Sequence, residues 1–127
     1  MASSYEKKVE SLLKGIHYRK EVIMPNLYGA HTTPLRFDFG VYDGDGKLKS
    51  LIEVDGEYHF KPIRGKLAFQ RQKAFDIKKN SYCLARNIIL IRVPYWKIDT
   101  LTFEELFTNQ DFVVKNKFHN QILKPPI

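Results

Sequence analysis

The stretch from Leu35 to His59 constrains this chain more than any other. It reads Leu-Arg-Phe-Asp-Phe-Gly-Val-Tyr, then Asp-Gly-Asp-Gly, then Lys-Leu-Lys-Ser-Leu-Ile-Glu-Val-Asp-Gly-Glu-Tyr-His. Two apolar runs flank a turn signal, which is the pattern of a β-hairpin. The runs carry acids where a plain core strand would not: Asp38 between Phe37 and Phe39, and Glu53 and Asp55 around Val54. Side chains alternate along a strand, so Glu53 and Asp55 share one face while Ile52 and Val54 share the other. Pairing symmetric about Gly44 to Lys47 puts Asp38 opposite or diagonal to Glu53. Three carboxylates then meet on one face of a largely apolar hairpin. Like charges so close repel unless a cation joins them. Oxygen ligands suit Mg²⁺ or Mn²⁺ best.

The flanking segments read as follows. Ser3 and Ser4 cap a helix beginning near Tyr5, with Val9, Leu12, Leu13 and Ile16 at helical spacing and Gly15 at its end. Glu6, in its first turn, reads either as an acid favoured by the helix dipole or as a site residue. His17 to Met24 reads as a strand and Pro25 to Pro34 as a loop. Lys66 to about Asn87 reads as the longest helix. Gln72, Asp76, Lys79 and Cys83 fall on one of its faces, either pointing into a site or forming an ordinary solvated pair. Ile88 to Val93 reads as an apolar run, ended by Pro94, that fits a strand buried on both faces. A hairpin strand, a helix and then a buried strand argue for a parallel crossover and an α/β class. Tyr95 and Trp96 either stack on bases or pack. Thr102 and Glu105 have capping-box spacing, and Asp111 to Leu123 reads as a last helix.

Composition bears on the partner. The chain has 127 residues, enough for one domain, and a formal net charge of +7, so an anion and first of all nucleic acid is expected. From Lys61 to Lys79 seven basic residues (Lys61, Arg64, Lys66, Arg71, Lys73, Lys78, Lys79) face one acid, Asp76. That segment directly follows the carboxylate hairpin, as a phosphodiester substrate needs; the alternative is a solvated helix face. The single cysteine, Cys83, excludes an intramolecular disulfide framework and a Cys-rich zinc site. No leader pattern is evident at Met1 to Lys8, and no apolar run approaches the roughly 20 residues of a membrane span, so a cytoplasmic protein is expected.

The order helix, strand, carboxylate hairpin, long helix, buried strand resembles the PD-(D/E)XK nuclease superfamily. Within it the chain is most similar to small phage and bacterial nucleases related to the very-short-patch repair endonuclease and to the EDxHD homing-endonuclease catalytic domain. Four pieces carry the resemblance over about residues 3–95: Glu6 with Val9, Leu35-Arg-Phe-Asp38-Phe, Leu51-Ile-Glu-Val-Asp-Gly-Glu-Tyr-His59-Phe, and Gln72 to Asp76 to Lys79 leading into Asn87-Ile-Ile-Leu-Ile-Arg-Val-Pro-Tyr95. It implies a restriction-endonuclease-like three-layer core, a mixed central sheet flanked by helices, in one domain with 96–127 as a C-terminal helical extension. It implies a Mg²⁺- or Mn²⁺-dependent DNA endonuclease, working in the cytoplasm (the host's, if phage-encoded), as a homodimer or with a specificity-providing partner. Asp38 matches the hairpin aspartate, Glu53 the (D/E), and Glu6 the first-helix glutamate, with Asp55 a further metal ligand. Two positions depart from the pattern. Asp55 stands where a lysine belongs, and Phe75-Asp76 stands where His-Asp belongs. Lys79 and His59 are the expected replacements, with Asp76 and Gln72 holding Lys79 in place. Lys61, Arg64, Lys66, Arg71, Lys73 and Lys78 would bind flanking phosphates. These departures also admit an inactive nucleic-acid-binding module with a nuclease-like fold, or a structural protein whose acids merely balance nearby lysines.

Overall fold

A computed structural model describes residues 3–127. The hairpin forms as its pattern dictates. Strand β2 (Pro34–Tyr42) runs antiparallel to β3 (Leu48–Asp55), with Phe39 opposite Ile52 and Gly40 opposite Leu51. The turn closes by Asp43 N–H to the Lys47 carbonyl at 2.9 Å, while the Asp43 carboxylate accepts from the Asp45 and Lys47 N–H groups. Gly46 supplies the positive φ of +81° that the turn requires.

Strand β1 (Tyr18–Tyr28) lies antiparallel on the outer side of β2, and β4 (Leu90–Pro94) lies parallel to β3. The order is β1-β2-β3-β4, a mixed open sheet. Helix α1 (Ser4–Leu13) precedes the sheet, and α2 (Lys66–Ala85) makes the crossover from β3 to β4. Ser3 caps α1 by accepting from the Glu6 N–H at 3.1 Å, and Thr102 caps α3 (Phe103–Thr108) by accepting from the Glu105 N–H.

Helices cover both faces. Val9 and Leu13 of α1 and Leu106 of α3 pack with Phe39, Val41, Ile52, Val54, Ile91 and Val93. Tyr82 and Cys83 of α2 pack with Phe37, Leu51 and Leu90 on the other face. Each fully buried side chain of this size contributes about 1.5–3 kcal/mol. Phe37 and Phe39 are two apart yet lie in different clusters, so strand alternation breaks at Asp38. On the neighbouring β1, Glu21 adopts a φ of 52° between the pairs Lys20↔Phe39 and Val22↔Phe37. The kink therefore crosses both strands without a shift of register, Glu21 lying opposite Asp38.

Three expected boundaries are corrected. β1 continues through Pro25 to Tyr28, which an outer strand permits because its free side needs no proline N–H. The strand expected from Ile88 begins at Leu90 and contains a buried arginine, Arg92. The expected helix over 111–123 is absent. Asn109 accepts from the Asp111 N–H and holds a 3-10 turn, and the Val114 N–H then bonds the Leu90 carbonyl at 2.9 Å along the β4 edge. Only the four-residue α4 (His119–Ile122) follows, packed on α2. Among the described residues no helix is long and apolar enough to cross a membrane.

Candidate functional site

At the kink β2 and β3 part, and no backbone pair joins Asp38 to Glu53. The two carboxylates take the place of ladder carbonyls. The Asp38 N–H donates to Glu53 Oε1 at 2.9 Å, and the Val54 N–H donates to Asp38 Oδ2 at 2.7 Å. Each acid thus satisfies a backbone donor that the splayed strands orphan. Lys79 reaches in from α2, donating to Glu53 Oε2 at 2.9 Å and to the Arg36 carbonyl. Its ammonium also lies 5.3 Å from the Phe37 ring centroid. Asp38, Glu53 and Lys79 are therefore assembled as the hairpin register and the helix stripe suggest.

Asp55 does not join them. It is buried, and its oxygens are taken by Arg92 Nη1 at 2.8 Å and Asn120 Nδ2 at 2.7 Å. Arg92 is fully buried and also approaches Asp76 at 3.5 Å and Glu53 at 3.9 Å, while its Nε donates to Asn80 Oδ1 at 2.8 Å. Asp76 does not hold Lys79 either. It bonds His59 Nδ1 at 2.9 Å, and Gln72 donates to its other oxygen at 3.2 Å. The expected support is thus reassigned: Gln72 and Asp76 orient His59, and Lys79 is held by Glu53 and the Arg36 carbonyl. The physical reason lies in spacing along α2. Asp76 sits one turn before Lys79, level with Asp55 and His59, while Lys79 is level with Glu53.

The charges explain the titration. Arg92, His59 and Lys79 face Asp38, Glu53, Asp55 and Asp76, three cations against four carboxylates. Asp38 is the acid left over. Burial and the Glu53 carboxylate push it up to about 8. Burial opposes charge on Asp55 as well, but Arg92 and then His59 outweigh it and hold Asp55 below the usual carboxylate range. Burial likewise opposes a charged His59, yet Asp55 and Asp76 prevail and raise it to about 9. Glu6 is half-buried and raised by burial and by the charge on Glu53, which puts it within electrostatic reach of the pair.

Glu6 and His59 line a cleft of about 580 Å³ with Val54, Gln72 and Tyr58. The basic residues divide around it. Lys61 and Arg64 frame a small pocket beside Tyr58 and Gln72, with the Arg64 guanidinium 3.9 Å from the Tyr58 centroid. Lys73 lies over Phe69 and is half-buried, and Lys66 and Arg71 are exposed on the first turns of α2. Lys78 points elsewhere and donates to the Tyr28 carbonyl.

The residues that sequence reading missed are Arg92, Asn80 and Asn120. A lone arginine inside an apolar strand was the available signal for Arg92, since a buried arginine needs acids around it. The two asparagines gave none.

Among the described residues, no three His, Cys, Asp or Glu side chains are grouped to hold a metal ion. The donor set nevertheless fits a hard cation: two carboxylates, one of them, Asp38, raised to about 8 by its burial and by the charge on Glu53. Mg²⁺ is commonly held by one or two carboxylates, with water and substrate phosphate completing its shell. Comparison of the chain with protein-family models, with curated proteins and with solved structures gave no match.

Proposed function

We propose that this chain is a metal-dependent endonuclease that hydrolyses phosphodiester bonds in DNA, with a restriction-endonuclease-like core. The observation that carries the reading is the splay of β2 from β3 at Asp38. It presents Asp38 and Glu53 as a carboxylate pair short of positive charge, with Lys79 on Glu53. The crossover helix and parallel β4 behind that pair support the same reading.

Asp38 and Glu53 would hold Mg²⁺ or Mn²⁺. The bound ion supplies a water of lowered pKa and neutralises charge on the scissile phosphate. Lys79 takes the place of the missing motif lysine: it fixes Glu53 and offers a cation at the phosphate. Asp76, itself held by Gln72, fixes the His59 ring through Nδ1, which leaves Nε2 to donate a proton. Glu6 lines the same cleft and can orient water. Lys61, Arg64, Lys66, Arg71 and Lys73 bind flanking phosphates.

A second reading, an inactive nucleic-acid-binding module, is favoured by the withdrawal of Asp55 into its pair with Arg92, which leaves two carboxylates at the splay. The test is cleavage of labelled plasmid, duplex, mismatched, branched and single-stranded DNAs with Mg²⁺, Mn²⁺ or EDTA. Metal-dependent cutting that Lys79→Met reduces at least a hundredfold supports the enzyme. Salt-sensitive binding without cutting in any metal supports the module.

A further inference from the structure

Arg92 and His59 share two buried carboxylates, Asp55 and Asp76. Arg92 Nη1 lies 2.8 Å from Asp55 Oδ1, where His59 Nδ1 stands off at 3.4 Å. At Asp76 the order reverses: His59 Nδ1 lies 2.9 Å from Oδ2, and Arg92 Nη2 stands off at 3.5 Å from Oδ1. Arg92 Nη2 is enclosed and has no hydrogen-bond partner. A buried guanidinium donor without a partner gains by closing on the carboxylate it faces. Here that carboxylate is the one that orients His59, so the guanidinium must be held on Asp55 instead.

Three amides divide the carboxylates in this way. Gln72 donates to Asp76 Oδ1 at 3.2 Å, the oxygen that Arg92 approaches, and leaves Oδ2 to His59. Asn80 Oδ1 accepts from Arg92 Nε at 2.8 Å. Asn120 donates to Asp55 Oδ2 at 2.7 Å and leaves Oδ1 to Arg92. Both asparagines depend on the C-terminal segment. Asn120 belongs to it, and the Asn80 NH₂ donates to the Lys117 carbonyl at 3.0 Å, which points the Asn80 oxygen at Arg92. The segment is itself tied to the edge of β4 by the Val114 N–H on the Leu90 carbonyl. Asp55, Asp76, Asn80, Arg92 and Asn120 are all buried, so water does not readily stand in for a lost amide.

We propose that Asn80 and Asn120 are positioning residues for His59, through which the segment 114–120 keeps Arg92 on Asp55 and Asp76 on His59. The inference rests on the nuclease reading for the use of His59 as a proton donor. It deepens that reading by making the segment after Phe112 a working part of the site. Neither asparagine touches substrate in this account: both act through the sharing of the two carboxylates.

The test is the imidazole N–H spectrum of the ¹⁵N-labelled protein at one fixed pH. Exchange of the His59 Nδ1 proton with water reads how firmly Asp76 holds the ring. Asn80→Leu and Asn120→Leu keep the side-chain shape and remove the amide. Each should speed that exchange at least about tenfold, whereas Leu106→Ala, which loosens the core on the opposite face of the sheet, should leave it within about twofold. Unchanged exchange in both asparagine variants, or equal acceleration by Leu106→Ala, overturns the proposal. If neither leucine variant folds, the wild type decides. Its His59 Nδ1 proton and Asn120 amide protons should lose protection with the same dependence on sub-denaturing urea, and different slopes overturn the proposal. Cleavage separates the positioning role from the nuclease reading. In an active nuclease the two variants should lower kcat at least about tenfold and leave KM within about twofold, and an unchanged kcat overturns the proposal. Faster exchange in the variants of a protein that cuts no DNA leaves the positioning role standing and removes the nuclease reading; cutting by the wild type with unchanged exchange in the variants does the reverse.

Discussion

Arg92→Met tests how the site is held together. The arginine has no solvent exposure and faces Asp55 at 2.8 Å, Asp76 at 3.5 Å and Glu53 at 3.9 Å. Methionine fills much of the space but leaves Asp55 with only Asn120 and His59. Removing one partner from a buried ion pair costs about 3–5 kcal/mol, because the other charge stays buried. For a domain of this size that corresponds to a fall in Tm of roughly 10–20 °C. Urea denaturation followed by circular dichroism measures it directly. Asp55→Asn in the same background should recover part of the loss, with a coupling energy of about 0.5–3 kcal/mol. A cost below about 1 kcal/mol, or strictly additive effects, would refute the idea that Arg92 neutralises this cluster.

Three further outcomes are expected. His59 is raised from 6.5 to about 9 by Asp55 and Asp76 against its burial, so its contribution to stability is full below about pH 6.5 and is lost as pH rises through about 9; stability measured across pH 6–10 should flatten in His59→Gln. Asp38 competes for protons at about pH 8, so Mn²⁺ affinity measured by calorimetry should weaken by up to about tenfold per unit below that pH, and Asp38→Asn should abolish the dependence. Lys61→Ala with Arg64→Ala should lower the slope of log affinity for duplex DNA against log salt by about 0.9 for each phosphate that the variant no longer neutralises, whereas Lys78→Ala, whose ammonium is held by the Tyr28 carbonyl, should leave the slope unchanged.

Much of the architecture was legible because it is local. The Asp-Gly-Asp-Gly turn marks the hairpin, and a one-residue shift of register between Val41 and Tyr42 then brings Asp38 level with Glu53. Helical spacing carries Lys79 to the same place. What stayed hidden depends on distant or one-residue events. Asp55 and Arg92 are 37 positions apart, and Asp55 and Asn120 are 65 apart, so no window of sequence joins them. The break in alternation at Asp38 is a single-residue kink that leaves no mark in composition. The segment after Phe112 has helical spacing, but its β-branched Val113 and Val114 serve the open edge of β4 instead.

The central claim is that Asp38 is buried beside Glu53 as a carboxylate that would bind a metal ion. Its pKa is raised, so in the metal-free protein its ionised form costs stability that is present at low pH and lost as pH rises through about 8. The most direct measurement pairs Tm at pH 9 without metal with single-turnover DNA cleavage in Mg²⁺, for wild type and Asp38→Asn. The account predicts a variant that melts higher than wild type and cuts at least a thousandfold more slowly. A variant that melts lower, or that still cuts, contradicts it.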